Sequence, residues 1–557
     1  MSHFFYIIVA YLRMIKSNQN VARPEGYSVS EKMLSWSRMG WWHMGLFAFV
    51  ILSIVAVGST WSSLDHLMRN RIDTLFVNEQ VEAVVTHYEA WVTLYAGFFT
   101  VFPLIGVGYL VDRLVGGRFV VFISLLFFAL VMVILFLTIP SSKALAALVY
   151  PMLNFFALPA IYAMGYLFCY EFVPLKHRLV AILSLSCAET FGRLVTGLID
   201  NLTAREGEKG NSSQVWERRT LTYMVFSIVL ISVTILIGLI FVGRNTPLGC
   251  VSCDKKPGLA YDQLLSEGVK NTSEPIPMSR DEFEINTEKD IAALGEANYI
   301  FGSIKRCFLG PIAVMIGAAF IDAVIEQVFH VFYYSYAQNY LGKGYEKDYL
   351  PMMMIDNGVA LGGILASIGL YIWMKDIRFV PPTALLIATL GAVICASVNV
   401  VNQDDGFPVD MNVVEPSIRR LTTGVVMFLL ARHVYKTSFR VLSMDLFPTS
   451  CRGRGVFVYK AIETFLISVV ASITLELKTT RSFWIIIAII AAGIGALIFA
   501  VFYTTSWFEK SLICQDPELD ANWLINHSEL NTVIGSRDKE PSKNTTTASS
   551  TGGSLRF

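Results

Sequence analysis

The chain has 557 residues, of which 54% are hydrophobic and only 16% charged, and its mean hydropathy is +0.54. A soluble globular domain carries about 25% charged residues, so this balance indicates a membrane protein and excludes disorder for the bulk of the chain. The 44 basic residues cancel 44 acidic ones, which leaves no basic field for nucleic acid, and the cysteines fall mostly in apolar runs, unlike a disulfide scaffold.

Phe4–Leu12 is apolar but short, and no small-residue cleavage site follows it, so residues 1–40 read as a cytoplasmic N-terminal segment. Apolar runs long enough to cross a bilayer then recur at Trp41–Trp61, Trp91–Val111, Phe119–Ile139, Ala144–Tyr170, Leu179–Ile199 and Thr220–Val242. A polar stretch, Gly243–Lys305, separates these from Phe308–Ser335, Leu350–Trp373, Phe379–Asn399, Leu421–Leu442, Gly455–Leu475 and Phe483–Tyr503. The expected fold class is an all-α membrane protein with twelve transmembrane helices arranged as two six-helix bundles. Its divisions are an N-terminal bundle at 41–243, a cytoplasmic linker at 244–307, a C-terminal bundle at 308–505 and a partly disordered cytoplasmic tail at 506–557.

The two sets of runs share a repeat. Glu171-Phe-Val-Pro174-Leu-Lys-His-Arg178 follows the fourth run, and Asp445-Leu-Phe-Pro448-Thr-Ser-Cys-Arg452 follows the tenth. The offset of 274 also carries Glu189-Thr190-Phe191 onto Glu463-Thr464-Phe465, giving five identities over 171–191, where ordinary composition predicts about one. Short connectors holding Arg113, Arg118, Lys176, Arg178, Lys375, Arg378, Arg452 and Arg454 place both termini in the cytoplasm. The sequons at Asn201 and Asn211 then fall outside as glycosylation candidates, Asn211 with the better clearance from the membrane.

Gly108-Tyr-Leu-Val-Asp112-Arg113-Leu-Val-Gly-Gly-Arg118 resembles the loop between helices 2 and 3 of the major facilitator superfamily. Asp445-Leu-Phe-Pro448-Thr449-x-x-Arg452-Gly453 resembles a segment of the organic cation/anion/carnitine transporters, with Asp where that family has Glu. The connector Ser62–Ala90 is short and free of cysteine, so the resemblance is to a divergent member. It implies a transporter in which helices 1, 4, 7 and 10 line a central cavity. Asp112, Arg113, Glu171, Arg178, Asp445 and Arg452 are the candidate gating residues, because charges at cytoplasmic helix ends can pair in one state and part in another.

Ionisable residues at membrane depth are the most informative feature. The seventh run holds Asp322, Glu326 and His330 on one helical face, and the tenth holds Arg432, Lys436 and Arg440 at the same spacing, with His433 beside them. The fifth run adds Glu189 and Arg193, the eighth Asp356, and the eleventh Lys460 and Glu463. Each costs about 2.5–3.5 kcal/mol at a span centre, so ten facing lipid would cost roughly 25–35 kcal/mol, more than the 5–15 kcal/mol, roughly, that stabilises a fold. They must pair or line water. Arg440 and Lys460 are expected to snorkel to the surface. The candidate pathway residues are Asp322, Glu326, His330, Arg432, Lys436, Glu189, Arg193 and Glu463.

Cys250-x-x-Cys253 lacks two further zinc ligands, which leaves lipid attachment or no role, and Tyr261-Asp-Gln-Leu264 matches an endocytic sorting pattern. Phosphate loops and hydrolase signatures are missing from the sequence, so no enzyme, metal or cofactor is expected. The expected function is alternating-access transport of a small organic ion (cation, anion or zwitterion), with a proton or other ion as the candidate coupling species. The alternatives are a proton-coupled sugar-like porter and a non-transporting sensor or scaffold. The expected partners are the organic substrate and the lipid bilayer, with no nucleic acid, and the expected location is the plasma membrane in preference to a vesicle membrane.

Overall fold

The computed structural model describes residues 33–34, 36–75, 79–110, much of 125–137, 158–203, 213–242, 247–252, 256–287, 316–325, 349–374, 380–396, 411–445 and 452–476, together with Gly493 and Gly495. Among them the regular elements are helices: α1 (Trp41–Leu75), α2 (Glu79–Leu110), α3 (Leu158–Phe172), α4 (Leu175–Thr203), α5 (Ser213–Val242), α6 (Pro247–Ser252), α7 (Pro257–Asn271), α8 (Tyr349–Met374), α9 (Val380–Ala396), α10 (Met411–Asp445) and α11 (Arg452–Glu476). Shorter helical stretches lie at 280–287 and at Ile316–Ile325.

Nine of these helices carry apolar runs read from the sequence, and four described segments, Trp41–Leu64, Val180–Ile199, Thr220–Ile240 and Gly453–Ile473, are long and apolar enough to cross a membrane. The third, fourth, seventh and twelfth runs are described only in part. One boundary expectation is corrected. Ser62–Ala90 is not a loop: α1 continues to Leu75 and α2 starts at Glu79. The stretch contains neither Gly nor Pro, so both helices extend beyond the point where hydrophobicity falls, and residues 76–78 between them lie outside the described residues.

α5 turns Leu221, Val225, Val229, Val233, Leu236 and Ile240 outward. Lipid tails are as apolar as these side chains, so nothing drives them inward, and association depends on close packing instead. That packing is built on small residues. A Cβ on Gly192 of α4 would stand 2.6 Å from the Val55 carbonyl oxygen of α1. Ser63 Oγ lies 3.3 Å from Thr196 Oγ1, which donates to the Ser59 carbonyl at 3.0 Å.

Packing between the two sets of runs follows the repeat. α2 packs along α11, and α4 packs on α8. These helices carry the second and eleventh, and the fifth and eighth, runs. Exchanging the repeats turns one contact into the other, as expected for two halves related by an axis along the membrane normal.

The linker contributes α6, α7 and the helix at 280–287. These pack with residues 33–36 around an apolar cluster of their own, including Met33, Leu34, Trp36, Cys250, Tyr261, Leu264 and Phe283. The Trp36 ring fills the notch at Gly268, Arg38 pairs with Glu274, and α6 rests on α3. The linker is thus docked on elements of the N-terminal half. Cys250 is buried, which argues against lipid attachment at that residue, while Cys253 lies outside the described residues. Tyr261 is buried in a helix with its hydroxyl donating to the Met278 carbonyl at 3.0 Å, so the sorting pattern is not presented as an extended peptide.

The α1–α4 crossing can be tested at two glycines. Gly192→Ala forces a methyl against a backbone carbonyl and should destabilise the protein by about 1–3 kcal/mol. Gly106→Ala meets nothing within 4 Å and should be neutral or stabilising by up to about 1 kcal/mol. Thermal unfolding of the purified variants compares them.

Candidate functional site

The described charges at membrane depth gather into two adjoining clusters. The first joins the two halves. Arg440 of α10 donates to Glu189 Oε2 of α4 at 2.6 Å and to the Tyr166 hydroxyl of α3 at 2.9 Å, with its guanidinium 5.2 Å from the Tyr166 ring centre. Arg193, one turn beyond Glu189, donates to the other carboxylate oxygen at 2.8 Å and lies 4.8 Å from the centre of the Trp61 ring on α1. Tyr166 also meets Ser186 Oγ at 2.9 Å. One carboxylate therefore holds two guanidiniums, one from each half, with the Arg440 and Glu189 side chains only 12% and 9% exposed.

The second cluster lies within the C-terminal half. Lys436 Nζ is 3.7 Å from Asp322 Oδ2, and Lys460 pairs with Glu463. Lys436 acts on Glu463 and on Glu189 as well as pairing with Asp322, which connects the clusters. Tyr435 ties α10 to the helix Ile316–Ile325 by donating to the Ala318 carbonyl at 3.0 Å. Phe439 and Tyr459 stack beside it and keep this region tightly packed.

The expectation that Arg440 and Lys460 snorkel to the surface is overturned. Both side chains are 12% exposed and ion-paired. A carboxylate within reach stabilises a buried guanidinium by more than the stretch to the interface would recover, because the low dielectric strengthens the pair. Arg432 is buried one turn before Lys436 on the same face. His433 instead abuts Gly363 of α8, away from that face.

Among the candidate gating residues, Arg178 is buried, donates to the Val173 carbonyl at 3.0 Å and lies 4.3 Å from the Tyr170 ring centre, so it closes the turn between α3 and α4. Glu171 is half-buried at the end of α3. Asp445 and Arg452 end and begin α10 and α11, and Asn201 lies in the last turn of α4, while the side chains of all three are outside the described set. Asp112, Arg113, Glu326, His330 and Asn211 also lie outside the described residues. Among the described residues no group of three His, Cys, Asp or Glu side chains could hold a metal ion.

Tyr166 and Arg440 are 274 residues apart, the offset of the repeat. Residues at matched positions that touch each other lie close to the axis relating the halves, so the cross-half cluster is on the centre line of the molecule. The same offset pairs Tyr162 with Lys436 and Ser186 with Lys460. One half supplies hydroxyls where the other supplies cations. That alignment was the signal available for Arg440 and Tyr166.

No protein-family model matches the chain, and no curated protein matches it in sequence. Solved structures do match. The major facilitator superfamily proton:xylose symporter XylE bound to 6-bromo-6-deoxy-D-glucose gives a TM-score of 0.63 at 14% identity, covering 86% of this chain and 98% of that one. The partially occluded inward-open form of the xylose transporter XylE from E. coli gives 0.58 at 12% identity, covering 83% and 98%. Its inward-open form gives 0.53 at 12% identity, covering 83% and 96%. The chain therefore has the twelve-helix major facilitator fold.

Glu189 and Arg440 should behave as one unit. Replacing either alone by Gln leaves a buried charge and should cost about 3–5 kcal/mol, while the double variant should recover much of the loss. Unfolding of the single and double variants should give a coupling of about 0.5–3 kcal/mol, and additive losses would show that the pair is not formed.

Proposed function

We propose that this protein is a transporter of a small organic ion, working by alternating access in the plasma membrane, and that it is a divergent relative of the organic cation/anion/carnitine transporters. The observation that carries the reading is the Glu189–Arg440 pair between the halves, on the centre line of a major facilitator fold. Five buried or half-buried cations and three carboxylates near that line are a costly lining for a protein that moves nothing. In this reading the α3–α4 turn and the linker face the cytoplasm, Asn211 faces outside, and the halves are bundles at 41–243 and 308–505. The pathway residues are Asp322, Glu326, His330, Arg432, Lys436, Glu189, Arg193 and Glu463.

The cycle follows from the packing. With Glu189 bound to Arg440 the cytoplasmic side is shut. Opening it requires that contact to part together with the adjacent end of the α2–α11 seam, where a Cβ on Gly108 would lie 2.6 Å from Phe457 Cβ. A ligand shifts this equilibrium only by binding the two states unequally, so it must compete for one member of the pair. In this reading Asp112, Arg113, Glu171, Arg178, Asp445 and Arg452 are the gating residues.

A second reading, a proton-coupled sugar-like porter, draws on the match to a proton:xylose symporter. The charged lining favours the ion, because a neutral sugar has no use for buried ion pairs that are costly to keep at that depth.

A disulfide between Gly108→Cys and Phe457→Cys should stop uptake, in proteoliposomes, of the ion identified by comparing vesicle metabolites with and without the protein. Reduction should restore it. Uptake that continues in fully cross-linked protein contradicts rocking of the halves.

A further inference from the structure

When Glu189 parts from Arg440, the N-terminal half must hold the carboxylate by itself, and one buried side chain there has a donor to spare. The Tyr162 side chain of α3 is only 4% exposed, and its hydroxyl makes no hydrogen bond to a described residue. Resting on the transporter reading above, we infer that Tyr162 receives the Glu189 carboxylate when the halves part. It is then a positioning residue for the opening step.

The helix geometry brings the two together. Tyr162 and Tyr166 stand one turn apart on one face of α3, as Glu189 and Arg193 do on α4. A short turn at 173–174 joins the helices, so they run antiparallel. Going from Tyr166 to Tyr162 along α3 is therefore going from Glu189 toward Arg193 along α4. In the closed form Glu189 Oε2 accepts from Arg440 at 2.6 Å and lies 3.4 Å from the Tyr166 hydroxyl, while Oε1 accepts from Arg193 at 2.8 Å. A carboxylate that releases Arg440 and keeps Arg193 turns toward the level of Tyr162. Gly58 of α1 leaves that corner without a side chain. A Cβ there would lie 3.4 Å from the Tyr162 hydroxyl oxygen and 3.1 Å from the Glu189 carbonyl oxygen. Of the charges around Tyr162, Glu189 acts on it most strongly.

Pairing then closes within each half. Glu189 keeps Arg193 and gains Tyr162, all on α3 and α4. Arg440 stays in the field of Glu463, on α11 of its own half. A buried hydroxyl without an acceptor penalises the closed state, and a hydroxyl donating to a carboxylate favours the parted one. Both effects push Tyr162 toward opening. Tyr166 pushes the other way, because in the closed form its hydroxyl lies 2.9 Å from Ser186 Oγ and accepts from Arg440 at 2.9 Å.

Spin labels at positions 177 and 443 of the purified full-length protein read the parting of the halves, and Arg440→Gln supplies a background in which the longer distance is populated. Adding Tyr162→Phe to that background should lower the ratio of long to short distances about tenfold. Tyr166→Phe alone should raise the ratio above that of the wild type. Tyr162→Phe alone should leave the unfolding temperature unchanged or higher, because the closed form loses no bond, whereas loss of a structural hydrogen bond would lower it. Tyr166→Phe strands no charge and serves as the background if Arg440→Gln fails to fold. A long distance undiminished by Tyr162→Phe, or a lowered unfolding temperature in that variant, overturns the inference and leaves the parting of the halves standing. A short distance alone in every variant overturns the inference and the rocking of the halves together.

Discussion

Everything in the centre of this molecule depends on keeping charge paired where water is scarce. Glu189, Arg193 and Arg440 are drawn from both halves, and parting them would separate buried charges that now hold one another. The pair distances of 2.8 and 2.6 Å are those of charge-assisted hydrogen bonds, which are directional as well as strong. Because the contact spans the interface between halves, the requirement for pairing becomes a constraint on their relative position. A protein that must open there needs something to take over the pairing, and this links the electrostatics of the site to its motion.

The surrounding packing gives that constraint its precision. α1 and α4 approach through Gly58, Gly192 and a run of serines and threonines, so the backbone bearing Glu189 and Arg193 is fixed to its own half. Tyr435 fixes α10 to Ile316–Ile325 in the other half, and Phe439 and Tyr459 fill the space behind Arg440. In the proposed cycle, relative movement of the halves would fall on the seams α2–α11 and α4–α8, where they pack on each other. The linker is docked with residues 33–38 on the N-terminal half and would travel with it.

Much of this was legible in the sequence, for identifiable reasons. Apolar runs gave the membrane class and the helices because hydrocarbon admits little else. The acid, Pro and Arg at the 274-residue offset gave the repeat, and the helix packing respects it. The charged stripes of the seventh and tenth runs marked residues that must pair or line water, and the structure places Asp322 and Lys436, one from each stripe, 3.7 Å apart. Arg440 was misjudged because depth along a helix was used without knowing what stood opposite, and Glu189 is 251 residues away. The helical extensions 62–75 and 79–90 were missed because hydropathy marks the bilayer, not the end of a helix. The cluster formed by residues 33–36 with α6 and α7 was invisible because its apolar residues are few and far apart in sequence.

The most direct test of the account is the distance between the ends of α4 and α10 near the shared axis. Spin labels at position 177, exposed at the start of α4, and at position 443, near the end of α10, report whether the halves are held together. The account predicts a single short distance in the wild-type protein, and a second, longer population when Arg440 is replaced by Gln. An unchanged distance distribution in that variant would contradict the claim that the Glu189–Arg440 contact holds the two halves closed.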